Sequence, residues 1–176
     1  MATGLLRVLE WVFCIYFATH IPITLFLDGQ QVFPEWMIPK IFIDINHQYQ
    51  RDFKDAVIAN APEWLMPFFW DEVLLQFPFF FVGTYAFYKG SCSWVRVPCL
   101  VYAVHVATTL QPIMAYILLH DFSDESPEYP GPATLEERLK LLAVYMPYFI
   151  IPVMMIITMV FSSEYNGSDE RKQKLF

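Results

Sequence analysis

The sequence predicts an all-α integral membrane protein: one domain over 1–176, built as a four-helix bundle with kinked helices and an internal ligand cavity. Three observations predict it. Hydrophobic residues make up 56% of the 176 and aromatics 18%, with a mean hydropathy of +0.39, outside the usual balance of a soluble domain. The excess is concentrated in four apolar stretches, about 5–27, 64–88, 97–119 and 139–161, each at or above the ~20 residues a helix needs to cross hydrocarbon. Within them fall Pro22, Pro67, Pro78, Pro98, Pro112, Pro147 and Pro152. An interior proline removes an intrahelical bond and tends to bend the helix, so a candidate in every span favours a bundle that splays around a cavity. Prolines are also commoner in membrane helices generally, and a soluble bundle of buried helices is the plain alternative to the membrane; the scarcity of charges in the four stretches argues against it.

The first stretch has Arg7 ahead of an apolar run, as a signal peptide does. It is too long for such a run, lacks a small-residue cleavage site and ends in Phe26-Leu27-Asp28, so it reads as a retained helix. The loop that follows, 29–63, is punctuated by Pro34, Pro39 and Pro62 and sets Trp36, Phe42, Tyr49 and Phe53 between charges. That pattern is amphipathic, and the loop is expected to lie on the membrane surface or to cap the bundle. Helices two and three are joined by a short basic turn. The second long loop, 120–132, is acidic and proline-rich, and it enters helix four through Thr134-Leu-Glu136-Glu137. This is a capping box with Thr134 as N-cap and Glu137 three residues on, so helix four is expected to start before the membrane does.

Basic residues set the expected orientation. Arg7, Lys89, Arg96, Arg171, Lys172 and Lys174 lie in short segments on the side of both termini, while Lys40, Arg51, Lys54, Arg138 and Lys140 are diluted over the two long loops. The positive-inside rule therefore favours cytosolic termini, with a cytosolic tail at about 162–176. On that topology the sequon at Asn166 is cytosolic and expected to be unused. Lys172 and Lys174 stand at −5 and −3 from the end, the spacing of a dilysine endoplasmic-reticulum retrieval signal; a basic tail that merely anchors helix four to anionic lipid is the alternative. The net charge of −7 sits mainly on the long loops and argues against a nucleic-acid partner. Cys14, Cys92 and Cys99 make neither a metal spacing nor an even set and read as packed free thiols.

Polar residues within the spans carry the functional signal. Helix one offers Glu10, His20, Thr24 and Asp28; helix two Glu72 and Gln76; helix three Tyr102, His105 and Thr109; helix four Tyr145 and Tyr148. Intervals of three and four place each set on one face, and four such faces converging would line a polar-flecked, aromatic-walled pocket. Asp28 and Glu72 are the costly members, at about 2.5 to 3.5 kcal/mol for an acid at the centre of a span. They can meet if helix one bends inward after Pro22. At close range in low dielectric both cannot stay ionised, so they are expected to share a proton and to receive an amine cation. Plainer readings remain: Asp28 as an exposed helix end, Glu72 as a packed partner of Gln76, and His20 and His105 as buried histidines bonded to hydroxyls. No metal set, cofactor motif or nucleophile elbow is present, and paired acids alone are a weak catalytic signal.

Four strings are distinctive: His20-Ile-Pro-Ile-Thr-Leu-Phe-Leu-Asp28; Glu72 through Gln76 to Pro78-Phe-Phe; Tyr85-Ala-Phe-Tyr-Lys-Gly-Ser-Cys-Ser-Trp94-Val-Arg; and Tyr145-Met-Pro-Tyr148. Through them nearly the whole chain resembles the sigma-2-type receptors of the EXPERA superfamily, relatives of emopamil-binding protein. The resemblance implies a four-helix, dimeric endoplasmic-reticulum protein, with rough-ER, nuclear-envelope, lysosomal or plasma-membrane pools open, and a ligand cavity inside the bundle. It implies that Asp28 pairs with a cationic amine while Glu72 hydrogen-bonds to Asp28 and holds it. It matches His20, Gln76, Tyr102, Thr109, Val144 and Tyr148 to pocket positions and Asp55 to an acid needed for ligand binding, which we expect to act through loop structure. Ala56 stands where a proline is usual in the family, and the 127–132 region is rearranged. The implied function is a non-enzymatic receptor for sterols, oxysterols and hydrophobic amines in cholesterol homeostasis and trafficking. Implied partners, beyond membrane lipid and a second copy, are the lysosomal cholesterol exporter and lipoprotein-receptor machinery. The rival is a sterol delta-8/delta-7 isomerase, in which the same acids and His20 would shuttle protons.

Overall fold

The computed structural model describes residues 4–166. Among them four helical spans are long and apolar enough to cross a membrane. The first is α1 (Gly4–Phe26), which tightens into a 3-10 turn at Asp28–Gln31 instead of stopping at Asp28. The loop after it folds into α2 (Lys40–Phe53) and the single turn α3 (Ala56–Ala59). The second span is composite: α4 (Met66–Asp71), a π turn (Glu72–Gln76) and α5 (Phe77–Lys89). Then come α6 (Arg96–Leu119) and α7 (Leu135–Phe161).

The prolines divide into two groups. Pro67 and Pro98 stand in the first turns of α4 and α6, where the missing N–H has no intrahelical partner to lose, whereas Pro78, at the junction of the π turn with α5, and the interior Pro22, Pro112, Pro147 and Pro152 each interrupt a helical ladder. Pro78 also explains the π turn beside it. Its nitrogen cannot bond back to Leu74, and the ladder is bridged just upstream by the wider bond from the Phe77 N–H to the Glu72 carbonyl.

Packing pairs α1 with α5 and α6 with α7. The first pair closes on Gly83, where a Cβ would come within 2.7 Å of the Phe17 ring, so α1 approaches α5 at backbone distance. Phe13, Phe17, Phe80, Phe87, Met155 and Met159 fill the shared core with essentially no exposure. Helix α7 begins as expected: Thr134 Oγ1 accepts from the Glu137 N–H at 3.3 Å while Glu137 Oε2 accepts from the Thr134 N–H at 3.2 Å. The same Glu137 pairs with Lys54 and so ties the 29–62 segment to α7. Arg138 donates to the carbonyls of Ile117 and His120 and caps the end of α6. The three thiols are free and buried.

At the other end of the bundle Glu10 is fully buried and belongs to a structural cluster instead of the polar face of α1. Its Oε2 accepts from Arg7 at 2.9 Å, and its Oε1 accepts from the Ser91 N–H and from the Tyr165 hydroxyl, both at 2.7 Å. Arg7 also donates to the carbonyls of Phe87 and Tyr88 at the end of α5. Gly90, at φ +77°, is required there, since a Cβ would meet the Arg7 guanidinium at 2.2 Å. Lys172, Lys174 and the Gly167-Ser168 part of the sequon lie outside the described residues. Asn166 itself donates to the carbonyls of Val160 and Ser162 and caps the end of α7.

Candidate ligand-binding site

A cavity of about 380 Å³ lies between the four spans at the end closed by the 29–62 segment. That segment caps the bundle: Asn46 and Tyr49, three apart on one face of α2, and Val57 and Ile58 of α3 form its cover. Asp28 and Glu72 face the cavity, and their carboxyls are hydrogen-bonded to each other. Thr24, one turn before Asp28 and buried, donates its hydroxyl to Glu72 Oε1. The π turn puts Glu72 and Gln76 on the same inward face, since about 4.4 residues complete its turn.

The remaining wall is aromatic. His20 Nδ1 lies 2.6 Å from the Tyr16 carbonyl, which can only accept, so Nδ1 carries the hydrogen and Nε2 is left with a free lone pair. The His20 ring sits between Tyr16 and Tyr148, at centroid distances of 4.0 and 5.0 Å. Tyr102 donates to the Tyr16 hydroxyl at 3.1 Å. On α6, Thr109 returns its hydroxyl to the carbonyls of His105 and Val106. Among the described residues, no lysine or arginine lines the cavity.

Asp55 stands behind this wall and not in it. Completely buried, it accepts from the hydroxyls of Tyr49 and Tyr145, both at 2.8 Å, and from the Ile58 N–H at 3.2 Å as the N-cap of α3. Both tyrosines line the cavity, so one carboxyl joins α2, α3 and α7 around it. Burial pushes the Asp55 carboxyl up from its ordinary value of 3.8, and its hydroxyl and amide donors hold it partly back.

Of the residues singled out from the sequence, His20, Asp28, Glu72, Gln76, Tyr102, Thr109, Val144 and Tyr148 are brought together around the cavity. His105 is not. It turns away from Tyr102 and Thr109, with Nε2 at 4.0 Å from Asp71. Tyr16, Asn46 and Tyr49 are the polar wall residues that sequence reasoning did not select. Tyr16 lies one turn before His20, and Asn46 and Tyr49 share an amphipathic face inside the loop, so helical spacing would have found all three once that loop is taken as helical.

Comparison with known proteins adds three observations. Residues 41–159 match the family EBP: EXPERA (expanded EBP superfamily). The chain is 44% identical over 168 residues to Sigma intracellular receptor 2 of Xenopus tropicalis, covering 96% of this chain and 97% of that protein. It is similar to the proteins of the same name from Macaca fascicularis, at 45%, and Homo sapiens, at 44%, each over 170 residues and 96% of both chains.

Proposed function

The chain belongs to the EXPERA superfamily, and on that premise we propose that it is a sigma-2-type intracellular receptor of the endoplasmic-reticulum membrane. Its ligands are sterols or oxysterols and cationic amphiphilic amines, and its role lies in cholesterol homeostasis and trafficking. One observation carries the reading: a hydrogen-bonded acid pair faces a cavity walled by tyrosines and, among the described residues, lined by no lysine or arginine. Two carboxyls in hydrogen-bonding contact hold a proton between them, so the pair bears one negative charge without a protein counter-ion. A protonated amine supplies that counter-ion, and the faces of Tyr16, Tyr102 and Tyr148 add cation–π attraction. Asp28 is the residue that meets the amine. Glu72, held by Thr24, orients it, and Asp55 sets the position of Tyr145 and Tyr49 from behind.

The names of the relatives support a receptor over an isomerase. Competition binding of a hydrophobic tertiary amine to the purified protein tests the ion pair: affinity in Asp28→Asn at neutral pH equal to wild type would refute it. Incubation with a delta-8 sterol tests the rival, and conversion to the delta-7 isomer that disappears in Glu72→Gln would replace the receptor by an enzyme.

A further inference from the structure

A second cavity, of about 300 Å³, lies beside the first under the same cover. Asn46 and Ile58 line both and form the partition. Its character is different: Gln30, Gln31, Asn46 and Gln50 give it a wall of neutral amides, with His47 beside them, Glu35 at an exposed position and, among the described residues, no lysine or arginine. Most of these amides are already engaged. Gln30 donates to the carbonyls of Phe26 and Phe42 and accepts from Asn46, and Gln31 donates to the Ile58 carbonyl.

Gln50 is the exception. It is 5% exposed, it lines this cavity, and its side-chain amide has no hydrogen-bond partner among the described residues. The carbonyl oxygen of Asn46, also 5% exposed, is in the same condition. Neither group is sealed inside the protein: each keeps some surface open, and a polar group that enters the void can satisfy it. Asp28 faces the first cavity from only two residues before Gln30, so a substituent on an amine held at Asp28 has a short path to the partition.

We propose that this cavity is a second binding compartment, which takes an uncharged hydrogen-bonding arm, a hydroxyl or an amide, carried on the nitrogen of an amphiphile seated in the main cavity. Gln50 is its principal contact, with an N–H to donate to the arm and an oxygen to accept from it, and the Asn46 oxygen is an alternative acceptor. The inference rests on the receptor reading, because the amine at Asp28 is the anchor that brings the arm to the partition.

Two probes of matched size test it on the full-length purified protein: N-dodecylethanolamine and N-dodecylpropylamine, which differ only in a terminal hydroxyl against a methyl. The hydroxyl probe is expected to bind wild type about fivefold more tightly, the effect of one net hydrogen bond. Gln50→Met should abolish the preference, bringing the ratio of the two affinities to about one. Equal binding of the two probes by wild type, which needs no variant to fold, overturns the compartment and leaves the void to water. A preference that survives in folded Gln50→Met overturns Gln50 as its contact. Failure of both amines to bind, or binding of the propyl probe that is indifferent to Asp28→Asn, removes the receptor reading and this inference with it; tight, Asp28-dependent binding of the propyl probe with no gain from the hydroxyl removes this inference alone.

Discussion

The first span carries an acid toward each end of the bundle, and the molecule treats the two in opposite ways. Glu10 is saturated: an arginine, a backbone N–H and a tyrosine hydroxyl converge on it, and the arginine goes on to cap α5. Asp28 meets another acid, and their surroundings offer a threonine hydroxyl and an open space in place of a cation. A buried carboxyl alone therefore says little about function. What separates fastening from recognition is whether the protein supplies the counter-charge itself, because an acid neutralised from within has nothing left to offer a ligand.

The largest test of that contrast is Glu10→Ala. It leaves the Ser91 N–H and the Tyr165 hydroxyl without their acceptor and Arg7 without its counter-ion, and it should destabilise the protein by about 3 kcal/mol, seen as a fall in thermal midpoint in detergent. Asp28→Asn should do the reverse: lower the affinity for a cationic amine by about 2 to 3 kcal/mol, some hundredfold, with the thermal midpoint of the ligand-free protein unchanged or raised. If the two variants lost stability alike, the distinction between the ends would collapse.

Smaller effects sharpen it. Tyr145→Phe removes one donor from Asp55 and should cost about 1 kcal/mol of stability together with a severalfold loss of amine affinity, since the same ring lines the cavity. The least effect is in pH. With its carboxyl raised above 3.8 by burial, Asp55 is easier to protonate in the folded chain than in the unfolded one. The stability it contributes is complete below that value and declines as pH rises through the raised one. Wild type should therefore lose ground to Asp55→Asn as pH is increased from about 4, in midpoints measured side by side; a difference constant across that range would mean the carboxyl is not raised.

Much of this was readable from the chain because it follows local rules. Span length and apolarity delimit the four helices, and Thr134 with Glu137 three residues later announces the start of α7. Spacing of three and four puts Asp28 with Thr24, and Glu72 with Gln76, on common faces. What escaped depends on distant partners. Glu10 has the periodicity of a pocket residue, and Ser91 and Tyr165, 81 and 155 positions away, join Arg7 in making it structural. The cover was hidden for a different reason: α2 is too polar to register as a span and too amphipathic to be only a loop, and its register is settled by Asp55 binding Tyr49 and Tyr145 together.

The π turn at Glu72–Gln76 means that the second span consists of two helical halves out of phase by one residue. Removing a single residue, Leu74 for example, would let the halves merge into one regular helix and rotate everything before it by about 100° relative to Phe80 and Gly83. Glu72 would swing off the cavity while the contact of α5 with α1 stayed intact. The chain thus keeps its acid pair by one surplus position, and a relative that lost it would keep the fold and lose the pair from the cavity.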